Sequence, residues 1–206
     1  MLRQIGTNDY LLELIITHQK SITHKTQLTL KECCSFISRG ITPIYETSDT
    51  LVLGQTCIRN HQVVLENARQ TRFKEFANKS LRQWDILVNS TGVGSLGRVA
   101  QVWFEPVNLT ADSHITIVRP VDKFKLYLAV ELMLREDEII NMAQGSTGQT
   151  ELSRNDLSAM LINNPDDAEL QHFNATVGPM MLTVQCNLKQ NNMLKRVRNE
   201  LLKHIL

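Results

Sequence analysis

The feature that most constrains this chain lies at its end. From Asp166 to Leu206 strand signals are few, and Val177, Met181, Val184, Leu188, Asn191, Leu194, Val197, Leu201 and Ile205 recur at three- and four-residue steps. Such a stripe is the seam of a long helix that needs a partner helix, because alone it leaves its apolar face in water. Asn187 and Asn191 fall near the seam, where buried asparagines set register. Gly178-Pro179 departs from the pattern. Proline removes a helix hydrogen bond, so the sequence predicts a break or kink there and a regular coil that starts near Met180.

The rest of the chain reads differently. Leu11, Leu12, Leu14, Ile15 and Ile16 predict a short amphipathic helix within Leu2 to about Lys25. From Thr29 to Val118 the pattern turns to short strands, "LVLGQTCIRN", "QVVLEN", "WDILVNS", "RVAQVWF" and "SHITIVRP". Asp122 then offers an N-cap to one buried helix, "KFKLYLAVELMLREDEIINMA", with Gly145 as its stop. Ser153 and Asp156 resemble a capping box for a short helix through Met160. Together these predict an α+β fold with a twisted β-sheet and flanking helices over residues 29–165. A helical segment, 1–28, precedes it and the long helix, 166–206, follows.

With 206 residues there is material for one domain with a proper core plus an appended element. The net charge of +1 announces no global positive field, so any role with nucleic acid needs locally clustered Lys and Arg. No apolar run approaches a membrane span, and the expectation is a soluble, cytoplasmic protein. Cys33, Cys34, Cys57 and Cys186 lack metal-ligand spacing and read as reduced packing residues, with no metal site implied.

The segment "NSTGVGSLGRVAQV" holds Gly92, Gly94 and Gly97 in the order G-x-G-x-x-G. A dinucleotide loop must follow a strand and open a helix, so that the pyrophosphate meets the helix N-terminus. Here Val99 to Phe104 is β-branched and aromatic and ends at Pro106, which predicts a second strand. The glycines therefore read as a tight turn whose backbone can approach something closely. The same geometry disqualifies Val93 to Gly97 as a nucleophile elbow. "NNPD" lacks the second proline and the aromatic of an amino-methyltransferase motif, and Asp166 with Glu169 lacks the lysine of a nuclease site. Six dispersed histidines show no H-E-x-x-H spacing. No catalytic constellation emerges.

Several segments, in order, resemble the specificity subunit of type I restriction-modification systems. "SFISRGITPIY", with Gly40, Thr42 and Pro43, is similar to the family's opening motif, and "LVLGQTCIRNHQV" to its next strand pair. "LRQWDILVNSTGVGSLGRVAQV" resembles its strand-turn-strand hallmark and "NLTADSHITIVRP" the continuation. "AQGSTGQTELSRNDLSAMLI" resembles the close of a target recognition domain, and "ELQHF" with "NNMLKRVRNELLKHIL" the long conserved-region helix. The resemblance spans about residues 29–206. The usual member has two recognition domains and two long helices, and this chain has material for one of each.

The resemblance implies a non-catalytic subunit whose recognition domain reads one half of a split site in double-stranded DNA. Its helix would dock a type I methyltransferase subunit, which a restriction and translocation subunit then joins. No cofactor of its own is implied, since S-adenosylmethionine, ATP and Mg would belong to the partner subunits. Expected DNA contacts are Arg39, Thr42, Arg59, Asn60, Arg69, Arg72, Lys74, Ser90, Thr91, Ser95, Arg98, Ser146, Thr147 and Gln149. Arginine can read guanine, and glutamine or asparagine adenine. The glycine turn either offers donors to phosphate or only holds the sheet together. Val184, Leu188, Asn191, Leu194, Val197, Leu201 and Ile205 are the expected interface. Their partner is Leu2 to Ile16 of the same or another chain, or a second copy in a homodimer or paired half-subunit. Alternatives are a structural assembly partner or silent cassette without autonomous DNA recognition and, more remotely, a nucleotide-binding enzyme using the Gly92 to Gly97 loop.

Overall fold

The computed structural model describes residues 2–22, 26–72, 77–143 and 150–205. Helix α1 (Leu2–Ser21) comes first, followed by strands β1 (Thr26–Thr29), β2 (Cys34–Arg39) and β3 (Leu51–Leu53). A hairpin of β4 (Ile58–Arg59) and β5 (Gln62–Val63) leads to β6 (Arg69–Gln70), β7 (Ile86–Asn89), β8 (Val99–Gln101), β9 (Leu109–Ala111) and β10 (Ile115–Pro120). The remainder comprises α2 (Lys125–Leu134), α3 (Glu136–Asn141), α4 (Arg154–Ala159), β11 (Leu161–Asn164) and the long α5 (Asp167–Ile205). The fold is α+β, as the sequence predicts.

The central sheet has the order β2-β10-β7-β8 and is antiparallel throughout. Side chains alternate along a strand, so Ile86 and Val88 face one way and Leu87 the other, yet all three are fully buried. Ile86 and Val88 join Val118, Tyr127, Leu128 and Phe173 in a core shared with the helices. Leu87 joins Ile115, Ile117, Leu53 and Ala111 in a second core, shared with the small sheet β6-β3-β9. Burial on both faces is why "ILV" reads as an unbroken apolar run. At the other end of β7, Asp85 and Arg119 are both buried. The guanidinium donates from Nε and Nη2 to the two carboxylate oxygens, each at 2.7 Å, and its other bonds go to the carbonyls of Asn78 and Ser80. A buried charge is tolerable only when paired and hydrogen-bonded in this way.

Several local expectations are corrected. The run after Pro120 is two helices, α2 and α3, separated at Arg135. The Arg135 guanidinium bonds Glu131, Glu138 and the Leu161 carbonyl, fixing that joint to β11. Asp122 does not cap a helix. It lies in a 3-10 turn, Asp122–Phe124, and its carboxylate pairs with Lys125 at 3.0 Å. Gly145 lies outside the described residues. Ser153 does cap α4, its hydroxyl accepting from the amides of Asn155 and Asp156. β1 and β11, too short and polar to register as strands, pair antiparallel from Thr26 opposite Asn164 to Thr29 opposite Leu161. They bring the chain's entry into the domain beside its exit.

Helix α5 passes through Pro179 as one element, so neither the break nor a coil start near Met180 is observed. Proline costs one bond, to the carbonyl four residues back. Pro179 and that residue, Ala175, are both exposed, where water can take the freed carbonyl. Phe173, Val177, Met181 and Val184 on the opposite face are buried, and this packing carries the helix through. Near the end of α1, His18 stacks on Phe173 with ring centroids 5.6 Å apart, and Gln19 donates to Glu131 of α2 at 2.8 Å. α1 therefore packs on α5 with its C-terminus at the start of that helix.

Candidate nucleic-acid interface

Antiparallel pairing places the C-terminal ends of β2 and β7 beside the N-terminal ends of β8 and β10. One end of the central sheet thus gathers the segment from Arg39 to Thr42, the glycine turn after Asn89, and the Asp112 to His114 turn. Ile41 bridges to Asp112 and Thr91 to Glu151, which draws the segment before α4 to the same place. Loops gathered on a rigid scaffold are where binding residues concentrate.

The glycine turn connects two antiparallel strands, so the geometry of a nucleotide-binding loop is absent. Gly92, Gly94 and Gly97 all have positive φ. At Gly92 a Cβ would collide with Gln55 Oε1, whereas Gly94 has open space around it. The close approach is therefore to the protein's own Gln55. Its Nε2 donates to Thr91 Oγ1 at 2.7 Å, and Ser95 Oγ donates to its Oε1 at 3.2 Å. Thr91 Oγ1 is also 2.8 Å from His114 Nδ1, and the His114 amide donates to Asp112. Burial pushes the Asp112 carboxyl up from its ordinary range. Gln55 and His114 thus tie the turn to its neighbours, and nothing local in the sequence marks either of them.

The other sequence-derived candidates fall into distinct settings. Ser90 is fully buried, its hydroxyl engaged with Thr116 and the Val88 carbonyl. Arg39 is largely buried and donates to Glu151, Ser113 and Leu152. Burial lowers its pKa, and Glu151 opposes that shift. Thr42 is exposed. Arg59 and Asn60 sit on the β4-β5 hairpin, where Asn60 and His61 both have positive φ, as a two-residue type I′ turn requires. With Arg98, His61 and Glu136 they line a cleft of about 550 Å³. Arg98 donates to the Gly94 carbonyl at 2.6 Å, and His61 is pulled up by its hydrogen bond with Glu136. Arg72 is engaged with Glu46, and Arg69 lies over the Tyr45 ring. Lys74, Ser146, Thr147 and Gln149 lie outside the described residues. Tyr45 and His61, which fall inside the segments that carry the resemblance, and Lys79, which carries no motif, also line clefts at or beside this end and were not among the expected contacts.

Burial raises the Cys33 thiol to about 11 and the Cys34 thiol further still, as for packing residues. Among the described residues no His, Cys, Asp or Glu group is arranged to hold a metal, and no helix is long and apolar enough to cross a membrane.

The interface expected on α5 is divided. Val184 and Asn191 are buried and Leu188 is half-buried, whereas Leu194, Val197 and Leu201 are 53, 56 and 57% exposed. Ile205 is the last residue of the helix.

No protein-family profile matches the chain, and no curated protein matches its sequence. Solved structures do. The S subunit of a type I restriction-modification system from M. genitalium superposes with a TM-score of 0.62 at 15% identity. The match covers 97% of this chain and 53% of that one. The HsdS subunit from Thermoanaerobacter tengcongensis gives 0.53 at 16% identity, covering 97% and 51%. A chain from a study of complex assembly and conformational transition in the type I R-M system gives 0.54 at 14% identity, covering 97% and 52%. The fold is that of type I restriction-modification S subunits, and the chain spans about half the length of those it matches.

Proposed function

We propose that this chain is a DNA-sequence-recognition subunit, non-catalytic by itself, whose domain over residues 29–165 reads one half of a bipartite site. The observation that carries this reading is the end of the central sheet, where exposed and half-buried polar and basic side chains collect on a fold shared with S subunits. Thr42, Arg59, Asn60, Arg69, Thr91, Ser95 and Arg98 are the described contacts in this reading, and Lys74, Ser146, Thr147 and Gln149 remain proposed alongside them. Ser90, fully buried, and Arg39, largely buried and bonded to three neighbours, serve as supports.

The region 166–206 pairs with a second copy, or with another half-subunit, and docks a methyltransferase subunit. A restriction and translocation subunit joins that complex and supplies the catalysis with its cofactors. Supporting this, Leu194, Val197 and Leu201 form an exposed apolar row at the spacing of a coiled-coil seam. A two-fold dimer presents two identical recognition domains, so its target is a split inverted repeat. Fluorescence anisotropy with duplex DNA over a salt series tests the reading. Affinity should fall linearly in log-log form with salt, because phosphate contacts release counterions. A chain that self-associates but shows no salt-dependent DNA binding would be an assembly partner only.

A further inference from the structure

Most arginines at the candidate interface have their guanidinium donors engaged. Arg39 bonds Ser113, Glu151 and Leu152, Arg72 bonds Glu46, and Arg98 bonds the Gly94 carbonyl. Arg69 is different. It is exposed on β6, at the edge of the small sheet opposite Val52, and its side chain has no hydrogen bond or ion pair with any described residue. Its guanidinium carbon lies 3.4 Å from the centroid of the Tyr45 ring. Stacking uses the face of the guanidinium and leaves its N–H edges open. Among the described residues Arg59 is equally unpaired, but no ring of theirs holds it.

Tyr45 and Arg69 line a small pocket of about 220 Å³ together with Gln55, Asn67, Asp112 and His114. Gln55 and His114 are the residues bonded to Thr91, so this pocket adjoins the glycine turn. The Asp112 carboxylate in its lining disfavours a phosphate there and leaves a neutral base edge as the fitting ligand. Guanine presents two acceptors, N7 and O6, in the major groove, and an arginine fork matches both. A fork already stacked in place loses less side-chain freedom on binding than a mobile one.

We propose that Arg69, held on the Tyr45 ring, is a specificity-determining residue that reads a guanine through its major-groove edge. This rests on the DNA-reading role proposed above and names one base within it. The chain and the variants Arg69→Ala, Arg69→Lys and Tyr45→Leu, with the exposed Lys31→Ala as a surface control, each select from a randomised duplex library at fixed salt. Salt slopes and thermal melts are recorded alongside. The unaltered chain should enrich a motif with guanine at one position of the half-site. Arg69→Lys, which keeps charge and stem and so guards against a folding defect, should lose about fivefold or more of that preference, the lower end for one bidentate pair. Its salt slope should stay unchanged, and Tyr45→Leu should lose part of the preference. An unchanged guanine preference in both Arg69 variants would overturn the assignment while DNA reading stood. So would a uniform loss over all sequences with a shallower salt slope, which marks a phosphate contact. A library left random by the unaltered chain would instead overturn the DNA-reading role itself.

Discussion

The two halves of α5 carry the same apolar periodicity and meet opposite fates. Before Asn191, Phe173, Val177 and Met181 are buried in the core shared with α1 and α2, and Val184 is buried as well. After it, Met193, Leu194, Val197, Leu201 and Leu202 are 46–58% exposed. Periodicity records that a helix face wants a partner and is silent on whether the partner lies in the same chain. The first half completes a domain; the second presents a row of apolar side chains at the spacing of a coiled-coil seam.

The largest effect that can break this contrast is in the first half. Phe173→Ala should lower the unfolding free energy by about 3–5 kcal/mol, measured by denaturant titration, since it empties a fully buried ring site. A loss as small as a surface substitution would mean that α5 is not integral to the domain. Leu194, Val197 and Leu201 changed together to Asp should leave the melting of the domain nearly unchanged. The same change should weaken self-association by about a hundredfold or more, given roughly 1.5–3 kcal/mol for each buried aliphatic side chain. Light scattering over a concentration series reads this, and an unaltered chain that stays monomeric would remove the second copy as the seam's partner.

Asn191 stands at the boundary, buried, with its Oδ1 lacking a hydrogen-bond partner among the described residues. Asn191→Leu should therefore stabilise the domain by about 1 kcal/mol, while an assembled state that uses this amide for register should become heterogeneous in mass. Equal stability and unchanged assembly would assign the residue no role on either side. The smallest effect lies at the sheet end. Hydrogen bonding to Glu136 raises the pKa of His61 in the folded state, so its contribution is fully present below the ordinary histidine range, about 6.5. That contribution is lost as pH rises through the raised folded value. The half-exposed setting keeps it small. An NMR titration of His61 should show the raised value, and Glu136→Gln should return it towards normal.

Much of the scaffold is local and was legible in the residues. The strands at β7 and β10, the Ser153 cap and the seam of α5 are each set by short-range patterning that backbone geometry enforces. The glycine turn was legible as a strand-to-strand connection because β-branched and aromatic residues follow Gly97. Pro179 misled because a lost hydrogen bond is a local cost, and the packing of Phe173 to Val184 outweighs it. Asp122 misled for the converse reason, as Lys125 takes its carboxylate.

What the sequence by itself determined is the kind and order of the elements, the need of α5 for a partner and, through ordered motifs, the fold. Only the tertiary structure decided which half of the seam α1 and the domain cover. It alone placed Gln55 beneath the glycine turn, withdrew Ser90 and Arg39 from the surface, and set Arg69 on Tyr45. Those outcomes join residues tens of positions apart, and such contacts follow from strand order and packing, to which no short stretch of sequence is sensitive.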